Sequence, residues 1–264
     1  MLVSLQNEQV KHVVNLQRRK GREAARQFVV EGRRFVEEAL HRGAKISRVF
    51  VCPQREQPEW RPLIEQLRIV QVPIEEIDER LLHKMSSTVE PQGILAVVSQ
   101  PSFTWEDIKV DPQTVLLIID GIQDPGNLGT ILRTALAAGV RQVCLTKGTV
   151  DLYNAKVLRS TMGAIFSLTI LIDLDVQEII SYCGSRALRL VTADLDGEVI
   201  YGSERLNLPL ALVVGNEGNG PSKPFYDLAQ QRLKIPMAYN VESLNVALAT
   251  GILLYEIVRQ RDFL

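Results

Sequence analysis

Five consecutive apolar residues, Val115-Leu116-Leu117-Ile118-Ile119, run directly into DGIQDPGNLGTILRTALAAGV at 120–140. A segment that is apolar at every position has no solvent face. It predicts a strand buried on both sides, as in a parallel sheet covered by helices. Pro125, Gly126 and Gly129 read as breakers of a loop, with Asn127 as the N-cap of the helix that follows. Leu128, Ile131, Leu132, Ala135, Leu136 and Ala138 form its apolar side, and Gly139 ends it. Arg133 lies six residues after Asn127, so the loop and first turns offer an amide and a fixed positive charge. A strand, a glycine-bearing loop and a helix make the usual setting of a site in an α/β domain. An ordinary turn with a surface arginine has the same spelling. The glycines do not follow G-x-G-x-x-G and no G-K-[ST] succeeds them, so these residues alone name no ligand.

The rest of the chain repeats the alternation. Residues 6–20 place Val10, Val13, Val14 and Leu16 near one helical face. Then follow a strand at 28–30, a helix from Arg33 to Gly43, a strand at 46–52, a helix at 58–68, a strand at 69–72, a helix at 74–82 and a strand at 94–98. This is a small α/β unit in residues 1–99. Residues 100–113 carry prolines, polar residues and Trp105, and read as a linker. The second domain, 114–264, has expected strands at 114–119, 141–145, 168–172, 188–193, 210–214 and 232–235. Its expected helices are 127–138, 154–160, 175–183 and 244–260.

Charge is uneven. Residues 1–50 hold eleven Lys and Arg against five Asp and Glu, while residues 101–264 hold fourteen against eighteen. A basic arm on a neutral or acidic body is one way to contact phosphates. Histidines occur only at 12, 41 and 83, which excludes a His-based triad or zinc site in the second half. Cys52, Cys144 and Cys183 lack metal spacing and lie in or beside apolar segments, so they read as buried free thiols in a reducing cytoplasm. No apolar run approaches the ~20 residues of a membrane span.

Two further stretches stand out. LALVVGNEGNG at 210–220 is a buried strand that opens into three glycines with Asn216, Glu217 and Asn219 between them, which lets backbone groups approach a ligand. IPMAYNVESLNVALATGILLYE at 235–256 contains a helix that Ser243 or Asn245 can cap and that is apolar nearly all round. Such a helix is buried in a domain or in a subunit interface.

Taken in order, these three blocks resemble the three motifs of the SpoU/TrmH family, the RNA ribose 2′-O-methyltransferases of the SPOUT class. The match covers roughly 113–260. The opening LQNEQVKHVVNLQRRKGREAARQFVVEGRRFVEEAL is similar to the ribosomal-protein-like substrate-binding domain of the ribosomal-RNA subgroup. The resemblance implies a deep C-terminal trefoil knot, a homodimer with a shared site, a ribosomal RNA substrate and no metal. It implies S-adenosylmethionine held by Gly215, Ile235 and Leu244, with Thr192, Asn216, Gly218 and Met237 as neighbours. It places the motif residues of catalysis on Asn127, Arg133, Glu217, Ser243 and Asn245. Glu242 and Ala247 depart from the family pattern, where small polar residues are common.

Methyl transfer to a ribose oxygen needs in-line approach at roughly 3–3.5 Å, loss of the hydroxyl proton and a held phosphate. A guanidinium, with a pKa above ~12, suits the last task better than the second. Glu217 and Ser243 are then candidates for proton relay or positioning. Other readings are a transfer-RNA enzyme, a non-catalytic RNA-binding assembly protein, and a dinucleotide oxidoreductase, which lacks its glycine fingerprint.

Overall fold

The computed structural model describes residues 2, 4–197, 199–200, 202, 206, 209–239 and 241–261. They divide into two compact units, Met1–Pro101 with Asp151–Phe166, and Ser102–Val150 with Ser167–Leu264. No helix among the described residues is long and apolar enough to cross a membrane.

The first unit begins with α1 (Glu8–Leu16), which starts where the Asn7 side chain accepts from the Gln9 N–H at 2.8 Å. Then come α2 (Arg19–Ala25), β1 (Gln27–Glu31), α3 (Arg33–His41), β2 (Ile46–Val51), α4 (Arg61–Ile69), β3 (Ile74–Glu76), α5 (Glu79–Met85) and β4 (Ile94–Ser99). The sheet order is β1-β4-β2-β3, with β4 antiparallel to both neighbours and β2 parallel to β3. β4 is central, which is why ILAVV is buried at every position. Val10, Val13 and Leu16 of α1 pack with Phe50, Leu82 and Leu95.

The sequence misleads between residues 69 and 82. No strand forms at 69–72: α4 runs through Ile69, and Gln71 turns at φ 59°. Ile69 and Val70 are 78% and 55% exposed, so their apolar character marks no core. The strand is Ile74–Glu76, and the helix waits for Asp78, whose side chain caps α5 by accepting from the Leu81 N–H at 2.7 Å.

The second part of the chain gives β5 (Val115–Asp120), α6 (Pro125–Ala137), β6 (Gln142–Thr146), α7 (Ala155–Thr161), β7 (Thr169–Leu174), α8 (Val176–Ser185), β8 (Arg189–Ala193), β9 (Val199–Ile200), β10 (Leu210–Gly215), α9 (Lys223–Leu228), β11 (Gln231–Lys234) and α10 (Val246–Gln260). The sheet order is β7-β6-β5-β10-β8-β11-β9, with parallel pairing throughout. β5 and β10 are central and wholly buried, as their unbroken apolar runs require. Trp105 stacks on Tyr182 of α8 at 4.2 Å and donates to Glu178 at 2.5 Å, which fixes the stretch before β5 to this unit.

Residues 151–166, inside the stretch expected for the second domain, pack with the first unit. Asp151 pairs with Arg22, and these side chains are only 17% and 9% exposed. Tyr153 lies 4.7 Å from Phe28, and Phe166 lies 5.5 Å from Phe35. The three cysteines are free and buried. Burial pushes the Cys52 and Cys144 thiols up and the Cys183 thiol to about 12, so all three stay protonated at neutral pH.

Candidate active site

β5 and β10 are register neighbours, with Gly215 opposite Asp120, so the loops that follow them leave the sheet side by side. Asp120 ties this edge together. Its buried carboxylate accepts from the Thr146 hydroxyl at 2.7 Å, the Ser222 N–H at 2.6 Å and the Ser222 hydroxyl at 2.5 Å. The loop 215–220 turns back on itself. The Asn216 side chain accepts from the Gly218 N–H at 2.9 Å and donates to the Gly121 carbonyl at 2.9 Å. A Cβ at Gly215 would collide with the backbone of Gly220 and Pro221. Gly220 has φ +67°, and a Cβ there would meet the Tyr226 hydroxyl. Both positions therefore demand glycine.

Three motif residues form one hydrogen-bonded chain. Asn127 Nδ2 donates to Glu217 Oε1 at 3.0 Å, and Asn245 Nδ2 donates to Asn127 Oδ1 at 2.9 Å. Asn245 Oδ1 accepts from the Ala247 N–H at 2.9 Å and so caps α10, as expected. Asn127 does not cap α6. Pro125 occupies the first turn, and the cap is Asp124, whose side chain accepts from the Asn127 N–H at 2.8 Å. The proline and glycines read as loop are helical, because proline is compatible with a first turn. Asn127 is thereby free to bridge the other two motifs.

Burial raises the Glu217 pKa, but hydrogen bonds from Asn127 and from the backbone N–H groups of Glu217, Gln123 and Asp124 outweigh it, and the carboxyl ends below its ordinary value. Glu217 is thus held ionised and is a poor base. Arg133 is exposed, and no hydrogen bond or ion pair holds it among the described residues. Six residues at about 100° each put it roughly 120° around α6 from Asn127. The chain therefore does not bring Arg133 to the Asn127–Glu217–Asn245 cluster.

A cavity of about 430 Å³ opens at these loops. Gly215, Asn216, Gly218, Ile235, Met237 and Leu244 line it, together with Glu217, Ser243 and Asn245. Thr192 does not. Its hydroxyl is buried one residue short of the wall and reaches the Gln231 carbonyl at 3.5 Å. Asp194, Leu195, Asp196 and Tyr226 also line the cavity and were missed by sequence reasoning. Their signal was positional: 194–196 leave the C-terminal end of β8, next to β10. Asp194 is paired with Arg232 at 3.6 Å. Of the two departures, Glu242 is exposed and Ala247 is buried under the cap. The cavity offers apolar walls for a flat ring, glycine backbone for close approach and carboxylates that favour a cation. It is of the size used for small-molecule cofactors, and these features fit S-adenosylmethionine. No cluster of three or more His, Cys, Asp or Glu suited to a metal ion occurs among the described residues.

Residues 114–255 match the SpoU rRNA Methylase family, and residues 7–96 match the MRM3-like substrate binding domain. An uncharacterized tRNA/rRNA methyltransferase of Synechocystis is 34% identical over 98% of this chain and 94% of its own. The 23S rRNA (guanosine(2553)-2′-O)-methyltransferase RlmP of Bacillus subtilis is 31% identical, covering 96% of this chain and 97% of its own. The AdoMet-bound rRNA methyltransferase structure from Sinorhizobium meliloti superposes with a TM-score of 0.88 at 30% identity, over 98% of this chain and 97% of that one. Motifs, cavity and matches over nearly the full length agree: the chain belongs to the SpoU rRNA methylase family.

Proposed function

We propose that this protein transfers a methyl group from S-adenosylmethionine to a ribose 2′-hydroxyl of ribosomal RNA. The observation that carries the reading is the Glu217–Asn127–Asn245 chain at the edge of the glycine-built cavity. When bound, the cofactor supplies an electrophilic methyl on a sulfonium. Gly215, Asn216, Gly218, Ile235, Met237 and Leu244 would hold it, and the carboxylate at 196 favours its positive charge. Thr192 supports the wall from behind.

Ionised Glu217 positions Asn127, and Asn127 positions Asn245, so one polar edge stays rigid for the incoming ribose. Ser243, exposed at the mouth, offers a hydroxyl to the sugar. Arg133 keeps its proton and clamps the phosphate beside the target nucleotide, which makes it easier for the neighbouring hydroxyl to give up its proton to solvent water. Because Arg133 stands away from its own cluster, the protein works as a homodimer in which each copy presents Arg133 to the other's cavity. The exposed Leu248 and Tyr255 of α10 support this arrangement. The deep trefoil knot belongs to the same proposal, supported by β10 lying between β5 and β8 and by α10 packing on α6. So do cytoplasmic action and a division of labour in which residues 1–99 recognise RNA, 100–113 connect and 114–264 carry the transfer.

The test is product chemistry. Ribosomal and transfer RNA are incubated with labelled cofactor, digested and resolved by mass spectrometry. The expected product is a 2′-O-methylated nucleotide in ribosomal RNA, leaving one alkali-resistant linkage. A methyl on a nucleobase, with every linkage still alkali-labile, overturns the reading.

A further inference from the structure

A second cavity, about 770 Å³, shares no residue with the cofactor cavity and is lined wholly by the first unit. Its walls are the start of α3, the turns before α4, the loop 86–92 and the segment 151–166. The backbone is shaped for it. Gly32 has φ +97°, and a Cβ there would run into the Gln92 side chain. Gly93 has φ +99°, and a Cβ there would strike the Arg55 and Trp60 side chains.

Four arginines line this cavity, in two kinds. Arg33 is bonded to Glu37 at 2.8 Å and Arg55 to Glu79 at 2.7 Å, so local carboxylates balance both. Arg34 is exposed and bonded to no described group, and the exposed Arg159 reaches only the Ser87 hydroxyl at 3.1 Å. Arg34 and Arg159 are thus the two lining arginines bonded to no carboxylate, and the lining carboxylate of Glu31 offsets part of their charge. Beside them lie an apolar wall of Phe35 and Met162, the latter 61% exposed, and the exposed amides of Gln57 and Gln92. Glu31 steadies the loop by accepting from the Ser86 and Thr88 hydroxyls at 2.8 and 2.7 Å.

Apolar surface for a ring face, amides for a ring edge and two guanidinium groups without a carboxylate partner for an anion match one chemical unit, a nucleotide. A base inside a duplex presents no free face, so the nucleotide must be unpaired. We infer that this cavity is a separate RNA subsite, which holds an unpaired nucleotide of the substrate with its base against Phe35 and Met162 and its phosphate on Arg34 and Arg159. The inference rests on the RNA-methyltransferase reading and adds the place where substrate is gripped outside the reacting centre. Arg159 belongs to the range that matches the methylase family and Arg34 to the range that matches the substrate-binding domain, so the subsite is made by both.

The experiment compares three full-length proteins on a 23S rRNA transcript: wild type, Arg34→Gln with Arg159→Gln, and Lys45→Gln with Arg68→Gln. All four side chains are exposed, and each double variant loses two positive charges. The cavity variant is expected to lose on the order of tenfold in RNA affinity, and its salt slope should flatten by about 0.7, as for one lost single-strand phosphate contact. The control pair should change little, and cofactor affinity should stay the same in all three. RNA carrying 4-thiouridine should crosslink to peptides containing Phe35 or Met162. Equal affinities in the two double variants, or crosslinks confined to α1 and α2, overturn the subsite. If the wild type binds and crosslinks in the cavity yet transfers no methyl, the activity reading fails and the subsite stands. If it methylates RNA but the cavity variant binds like the control, the reverse holds.

Discussion

At Glu217, which is exposed, partial desolvation and hydrogen bonding oppose each other. Desolvation alone would raise its pKa, and the surrounding N–H donors reverse the outcome. A carboxylate whose folded pKa is depressed adds stability above its ordinary value of 4.5, and that stability is lost as pH falls through the lowered value. Glu217→Gln should therefore be less stable than wild type near neutral pH, and the gap in urea midpoint should close on acidification. A gap that widens below about pH 4 contradicts the assignment. Arg133→Ala should abolish transfer while cofactor affinity by calorimetry stays nearly unchanged. Mixed dimers of Arg133→Ala with a cofactor-defective variant should recover activity that neither has alone, and failure to recover argues for a site within one chain. The resemblance picked out Asn127, Glu217 and Asn245, which lie in one hydrogen-bonded chain. It could not show that Asn127 is freed by Asp124 taking the cap, nor that Thr192 turns its hydroxyl into the sheet.

At the scale of elements, the loop after β10 is the sharpest test. Gly215→Ala places a methyl against the backbone of Gly220 and Pro221, which cannot move aside as a flexible side chain would. The cost should be about 1–3 kcal/mol of stability, with a larger relative loss of cofactor affinity as the loop is pushed into the cavity. Thermal melting and calorimetry separate the two. Central strands were legible because β5 and β10 are buried on both faces and spell it out. β9 has two residues and α9 six, too few to establish a period, and both were missed. The error at 69–72 has the opposite cause, an apolar run whose first two side chains face solvent.

For the whole molecule, the alternation of strands and helices announced two α/β units, and the resemblance assigned them. Pattern alone could not reveal that residues 151–166 pack with the first unit, since that rests on distant partners: Arg22 for Asp151, Phe28 for Tyr153 and Phe35 for Phe166. Removing residues 1–101 should therefore expose these aromatics and leave Asp151 unpaired. The remaining fragment should melt earlier and aggregate more than the full chain, as light scattering during heating would show.

The chain passes between the two units three times, after Pro101, after Val150 and after Phe166. A protease that nicks only the first passage leaves a clipped protein still joined through the other two, so both pieces should co-elute under native conditions and part only in denaturant. The same threading bears on inheritance. A recombination event that exchanged residues 1–101 alone would deliver the first unit without its α7, and so without Arg159. Exchange of the two units between relatives therefore requires either a double crossover around residues 151–166 or compensating changes at Arg22, Phe28 and Phe35.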